Sequence, residues 1–220
     1  MKPTQRSQIR SIKFLLAWIV ANFIGGFWVG YFEDNGMQFM ATIVYTGIFI
    51  GTLQWAVLWW AGNRRSRWWL WPLVSALGWN FGITLLLFSV SFIGDIANGL
   101  AHQFGLWATF WSNLMLGPIW VSFMAIAQGV LLSRRTQFQG SVLGIWLLAS
   151  WFGGAVNGAT GAALCSAYCQ VLPQALIGLV NGAGWGAYGL ITGVVLFVRP
   201  GLLSGFQERL LTDTPVRRLR

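Results

Sequence analysis

Residues 14–32 read FLLAWIVANFIGGFWVGYF, and residues 39–60 read FMATIVYTGIFIGTLQWAVLWW. Neither run contains a charged side chain, and each provides the roughly 20 residues that a helix needs to cross a hydrocarbon core about 30 Å thick. Comparable runs follow at 69–93, 114–132, 141–164 and 172–198. Together they predict an all-α polytopic membrane bundle of six transmembrane helices. Residues 1–198 form one transmembrane domain and residues 199–220 a basic cytoplasmic tail.

Composition points the same way. The 220-residue chain is 56% hydrophobic and only 9% charged, so it has more apolar surface than a water-soluble core could hide. Its formal charge of +9 does not mark a nucleic-acid partner, because the cations are segregated by the apolar runs. Lys2, Arg6, Arg10 and Lys13 precede the first run, and Arg64, Arg65 and Arg67 follow the second. Arg134 and Arg135 follow the fourth, and Arg199, Arg209, Arg217, Arg218 and Arg220 follow the sixth. With six crossings all fourteen fall on one side, while Glu33, Asp34 and Asp95 fall on the other. That is the positive-inside pattern, with both termini cytoplasmic. The first run exceeds a signal-peptide apolar region and lacks its cleavage signature, so it is read as a helix.

Taken in pairs, the helices form three parallel hairpins that resemble one another. In the outgoing helices Trp18, Trp71 and Trp146 open segments in which Asn22 with Gly25, Ser75 with Gly78 and Ser150 with Gly153 correspond. In the returning helices Gln54 to Leu58 aligns with Gln128 to Leu132 and more weakly with Gly193 to Phe197. Glycines four apart, such as Gly26 and Gly30 or Gly154 and Gly158, let helix backbones approach closely, a main source of helix association in lipid.

The segment 94–112 reads differently. Ile96, Leu100, Phe104, Trp107 and Trp111 make one helical stripe, with Asn98, His102 and Gln103 away from it. An interfacial helix lying on the outer leaflet is expected, covered by lipid or by a partner protein.

Chemistry-bearing residues are few. The apolar runs hold no ionisable group of the kind that proton relays use. There is no Gly-x-Ser-x-Gly elbow, HExxH motif or Walker loop, and a non-enzymatic protein is expected. Cys165 and Cys169, the only cysteines, suit a local disulfide on the outer side, with two free thiols as the alternative and too few ligands for a metal. The amides Asn22, Gln54, Asn80, Gln128, Asn157 and Asn181 should face the bundle interior. There they either bond across helices or line a pocket for a ligand. An aromatic belt accounts for the fifteen tryptophans, and a bound lipid, carotenoid or chlorin is the sharper alternative.

The stretch Gln54-Trp55-Ala56-Val57-Leu58, then Arg64 and Arg65, then Ser75-Ala76-Leu77-Gly78-Trp79 with Gly82, resembles a Trp/Gly-rich pattern in uncharacterised polytopic bacterial membrane proteins of cyanobacterial type. The resemblance brings no activity with it. It implies a bacterial inner membrane or a thylakoid membrane, and a photosynthetic complex as one setting. Two functions fit these residues: an accessory subunit packed against lipids, other membrane subunits or a second copy, and a transporter or channel for a small neutral or apolar molecule. The second expects Asn80, Asn157, Gln54 and Gln128 around a central pocket.

Overall fold

The computed structural model of the chain describes residues 3–61, 67–133 and 139–198. The expected basic tail, and Arg64, Arg65, Arg134 and Arg135, lie outside them. Among the described residues there is no strand. The main helices are α1 (Pro3–Phe32), α2 (Thr46–Ala61), α3 (Leu70–Phe104), α4 (Ala108–Ser133), α5 (Gln139–Tyr168) and α6 (Gly178–Val198). Five stretches are long and apolar enough to cross a membrane: Ser11–Ala61, Leu70–Phe104, Ala108–Ser133, Gly140–Tyr168 and Gln174–Val198.

The first of these spans 51 residues and is folded back on itself. Asn35 leaves helical geometry (φ −95°, ψ 29°) and Gly36 takes φ 84°, a conformation that costs glycine nothing and a residue with a Cβ a good deal. The second limb then passes through a wide π-type turn at Ala41–Tyr45 before α2. The two limbs pack together, and a Cβ on Gly25 would meet Ile50.

Each helix packs on the next in sequence, and α6 returns to α1, closing a ring. Glycine sets the spacing. A Cβ on Gly117 of α4 would strike the Gly154 carbonyl of α5, and one on Gly158 would strike the Asn113 carbonyl. Between α3 and α4, Gly78 faces the Met124 backbone and Gly82 the Trp120 carbonyl. Gly178 and Gly182 of α6 lie against the Phe27 and Phe23 carbonyls of α1.

The ring is apolar outside as well as inside. Leu16, Val20, Ile24 and Trp28 form an exposed stripe on α1, and Leu73, Leu77, Phe81 and Leu85 form another on α3. Both recur every four residues, so each is one continuous helix face. Phe88 is 82% exposed. A protein stable in water would bury such stripes; hydrocarbon makes them neutral.

The segment expected to lie on the membrane surface does not form a separate helix. Residues 94–104 continue α3, because nothing breaks the helix before Gly105 (φ 70°) and Leu106 (φ 60°). Gly94 and Gly99 are tolerated inside it, at roughly 1 kcal/mol each relative to alanine. The packed positions there are Ile93 and Ala97, whereas Ile96, Phe104 and Trp107 of the expected stripe are exposed. Likewise, α4 begins at Ala108 and α5 continues to Tyr168, beyond the limits read from hydropathy. Helices outlast the hydrophobic run because main-chain hydrogen bonding continues until a turn residue stops it.

Gly117→Ala should therefore lower stability by about 1–3 kcal/mol, as overpacking against a backbone carbonyl does. Gly144→Ala, where a Cβ meets nothing within 4 Å, should leave it unchanged. Unfolding midpoints of the two variants in detergent, followed by tryptophan fluorescence, make the comparison.

Candidate functional site

The bundle has two ends: one carries the Glu33–Met37 turn and the Cys165–Cys169 pair, the other the Lys13 end of α1. A buried polar layer lies between them. Asn22, Gln54, Ser75, Gln128, Ser150 and Thr192, one from each helix in turn, are all fully buried.

Gln54 is the hub. Its Nε2 donates to Asn22 Oδ1 at 2.8 Å, and its Oε1 accepts from Trp71 Nε1 at 2.9 Å and from Gln128 Nε2 at 3.1 Å. Gln128 Nε2 also donates to Ser75 Oγ at 2.8 Å. The Ser75 proton goes to the Trp71 carbonyl, so its oxygen is free to accept. Asn22 Nδ2 donates to the Trp18 carbonyl, and Trp18 Nε1 donates to Thr192 Oγ1 at 3.0 Å. Tyr188 reaches Ser150 at 3.3 Å. In low dielectric an unpartnered polar group costs several times what a made bond contributes, so such a layer is held by mutual satisfaction. Two of its neighbouring atoms lack partners among the described residues: Gln128 Oε1 and Trp146 Nε1.

Apolar layers enclose it. Towards the Lys13 end lie Trp18, Trp71 and Trp146, with Trp71 edge-on to Trp18 at 6.2 Å and to Trp146 at 5.9 Å between ring centroids. Leu58, Leu132 and Leu196 pack with them. Towards the Glu33 end, Ile50, Met124 and Tyr188 form a fully buried plug. One turn separates each plug residue from its polar neighbour on the same helix: Ile50 from Gln54, Met124 from Gln128, Tyr188 from Thr192.

Above the plug is a cavity of about 600 Å³. Trp79, Trp120, Trp185 and Ile83 contribute apolar walls, and Glu33, Asp34, Thr42, Asn113, Asn157 and Asn181 contribute polar groups. Trp79 and Trp185 sit 5.7 Å apart between centroids. The π-type turn at Ala41–Tyr45 shapes the wall. It turns the Thr42 carbonyl to accept Trp79 Nε1 at 2.6 Å and sets the Thr42 hydroxyl against Glu33 Oε1 at 2.8 Å, the kind of local use that wide turns often serve. Asn181 Nδ2 donates to Glu33 Oε2 at 3.1 Å. Glu33 stands in the turn beyond α1, and burial pushes its carboxyl above the ordinary carboxylate range, opposed by these two hydrogen bonds. Cys165 and Cys169 are joined as a disulfide with Cα atoms 4.6 Å apart and line the same cavity.

The six amides singled out in the sequence thus part company. Asn22, Gln54 and Gln128 belong to the closed layer, and Asn157 and Asn181 line the cavity. Asn80 is half-buried and donates to the Ala76 carbonyl of its own helix. The expected central pocket around Asn80, Asn157, Gln54 and Gln128 is corrected accordingly: of the four only Asn157 lines it, because the two glutamines satisfy each other across the bundle. Sequence reading also missed Glu33 as a cavity residue, since a carboxylate at a helix end reads as solvent-facing until α6 closes over it.

The chain matches no protein-family model, and no curated protein or solved structure is similar to it.

Gln54→Leu strands a donor on Trp71, a donor on Gln128 and an acceptor on Asn22, and should cost about 2–4 kcal/mol. Gln128→Leu should cost less, because it also removes a carbonyl oxygen that has no donor. Thermal unfolding of the two variants side by side tests the order; equal losses would deny Gln54 its hub role.

Proposed function

We propose that the protein crosses its membrane six times, as three hairpins with both termini cytoplasmic, and holds a small molecule in a dead-end cavity on the outer side. The observation that carries this reading is the sealed floor: Ile50, Met124 and Tyr188, with the amide layer behind them, close the bundle below the cavity. A through-path would have to displace three fully buried side chains and break the bonds of Gln54. Conduction or transport through Gln54 and Gln128 therefore loses its basis, while ligand holding does not.

The six crossings are supported by the fold-back at Asn35–Gly36, which leaves limbs of about 30 Å each at 1.5 Å per residue. Three hairpins are supported by repeated contacts. Gly25 meets Ile50, Gly78 meets Met124 and Gly153 meets Tyr188. Trp71 donates to Gln54 of the preceding hairpin, and Trp18 donates to Thr192 of the last. Threefold closure asks for a third bond, from Trp146 to Gln128, and those residues carry the two unpartnered atoms of the layer. These contacts favour Thr192, one residue before the position read from sequence, as the counterpart of Gln54 and Gln128. Orientation follows from the fourteen cations on one side. A non-catalytic role is favoured by a lining of amides, hydroxyls, carboxyls and indoles without histidine.

The reading is tested by labelling. Asn157→Cys in right-side-out vesicles should react with an impermeant maleimide added outside, and Gln54→Cys should not. Equal labelling of both variants, or labelling of Asn157→Cys from the cytoplasmic side alone, would overturn it.

A second role, as a subunit of a larger assembly, is favoured by α3. Its 35 residues extend about 52 Å at 1.5 Å each, well past a 30 Å core. Phe104, Leu106 and Trp107 at the far end are exposed. Apolar groups beyond the hydrocarbon invite a partner. Native mass spectrometry after mild solubilisation should then show stoichiometric companions or a homo-oligomer, and a bare monomer would count against this role.

A further inference from the structure

We infer that the cavity takes a small organic cation, an ammonium or quaternary ammonium group, seated between the Glu33 carboxylate and the indoles of the wall. This rests on the reading of the cavity as a ligand site and names the class of ligand.

Charge is the first ground. Glu33 and Asp34 line the cavity, and among the described residues no lysine, arginine or histidine does. Glu33 is held in place by neutral donors only: Thr42 on Oε1 and Asn181 on Oε2. Both hydrogen bonds orient the carboxylate without neutralising it. A carboxylate partly withdrawn from water without a countercharge is costly, and a bound cation offsets that cost in a way that a neutral or anionic ligand does not.

Aromatic surface is the second. Trp79, Trp120 and Trp185 contribute three indoles to its lining. Tryptophan is the best partner for a cation over its ring face, and desolvation inside a cavity strengthens the attraction. The cavity volume of about 600 Å³ lies within the range typical of small-molecule sites.

Asn157 is the third and independent ground. It is only 8% exposed, lines the cavity, and its amide has no hydrogen-bond partner among the described residues. Its Oδ1 lies beside Gly184, where a side chain would collide with it. Buried amides are almost always paired. One left unpaired at a cavity wall is a group open to a ligand.

Three isosteres separate charge from shape: choline, its neutral analogue 3,3-dimethylbutan-1-ol and the anion 3,3-dimethylbutanoate. Each is titrated calorimetrically into the full chain in maltoside detergent. Choline should bind at least about tenfold more tightly than the alcohol, and the anion most weakly. Glu33→Gln should remove that advantage while leaving the affinity for the alcohol within about twofold, which also shows that the variant cavity is intact. The inference is overturned if the alcohol or the anion binds as tightly as choline, if Glu33→Gln leaves choline binding unchanged, or if choline does not bind. With Asn157→Cys still labelled from outside, such a failure removes the cation and leaves the cavity reading standing. Loss of that labelling as well would remove both.

Discussion

A buried amide in a bundle surrounded by hydrocarbon has no water to fall back on, and this constraint organises the protein. Gln54 has two bonding atoms and uses both, drawing Asn22, Trp71 and Gln128 to one level. Because those residues belong to four different helices, satisfying one side chain fixes the relative height of most of the ring. Apolar packing alone would specify that height poorly, since aliphatic faces slide past one another with little change in energy, whereas a displaced hydrogen bond leaves a donor exposed to a medium that offers no substitute.

Glycine makes the layer reachable. Side chains as short as Ser75 and Asn22 meet glutamines on other helices because neighbouring helices approach closely at Gly78, against the Met124 backbone, and at Gly25, against Ile50. The same closeness that brings polar groups together in the middle excludes a path along the axis. Towards the Glu33 end close glycine contacts persist, as between Gly158 and the Asn113 carbonyl or Gly82 and the Trp120 carbonyl. The cavity opens beyond the plug of Ile50, Met124 and Tyr188. Its polar lining is therefore a different population of amides from the layer, with Asn157 left open and Asn181 committed to Glu33.

The separation of charge along the molecule acts in the same direction. Lys13 of α1 lies towards one end of the bundle, and Glu33 and Asp34 line the cavity at the other. A low-dielectric wall of indoles concentrates the field of those carboxyl groups, so the cavity has an electrostatic preference as well as a shape.

The sequence by itself determined the helical class, the apolar runs and the interior placement of Gln54 and Gln128, because period and composition report which faces a medium can tolerate. It also pointed to Trp18, Trp71 and Trp146 as corresponding positions, and to Cys165 with Cys169 as a pair close enough to join. It read residues 94–112 as a helix of their own, whereas 94–104 continue α3 because nothing before Gly105 breaks it. Only the tertiary structure decided which amides meet and which face a cavity. Asn80 and Asn157 look alike in sequence, yet one bonds its own helix and the other, among the described residues, is unpaired at the cavity, because helix rotation and the approach of neighbouring helices set what each meets. Glu33 became a cavity residue for the same reason: Asn181 reaches it only when α6 closes the ring on α1.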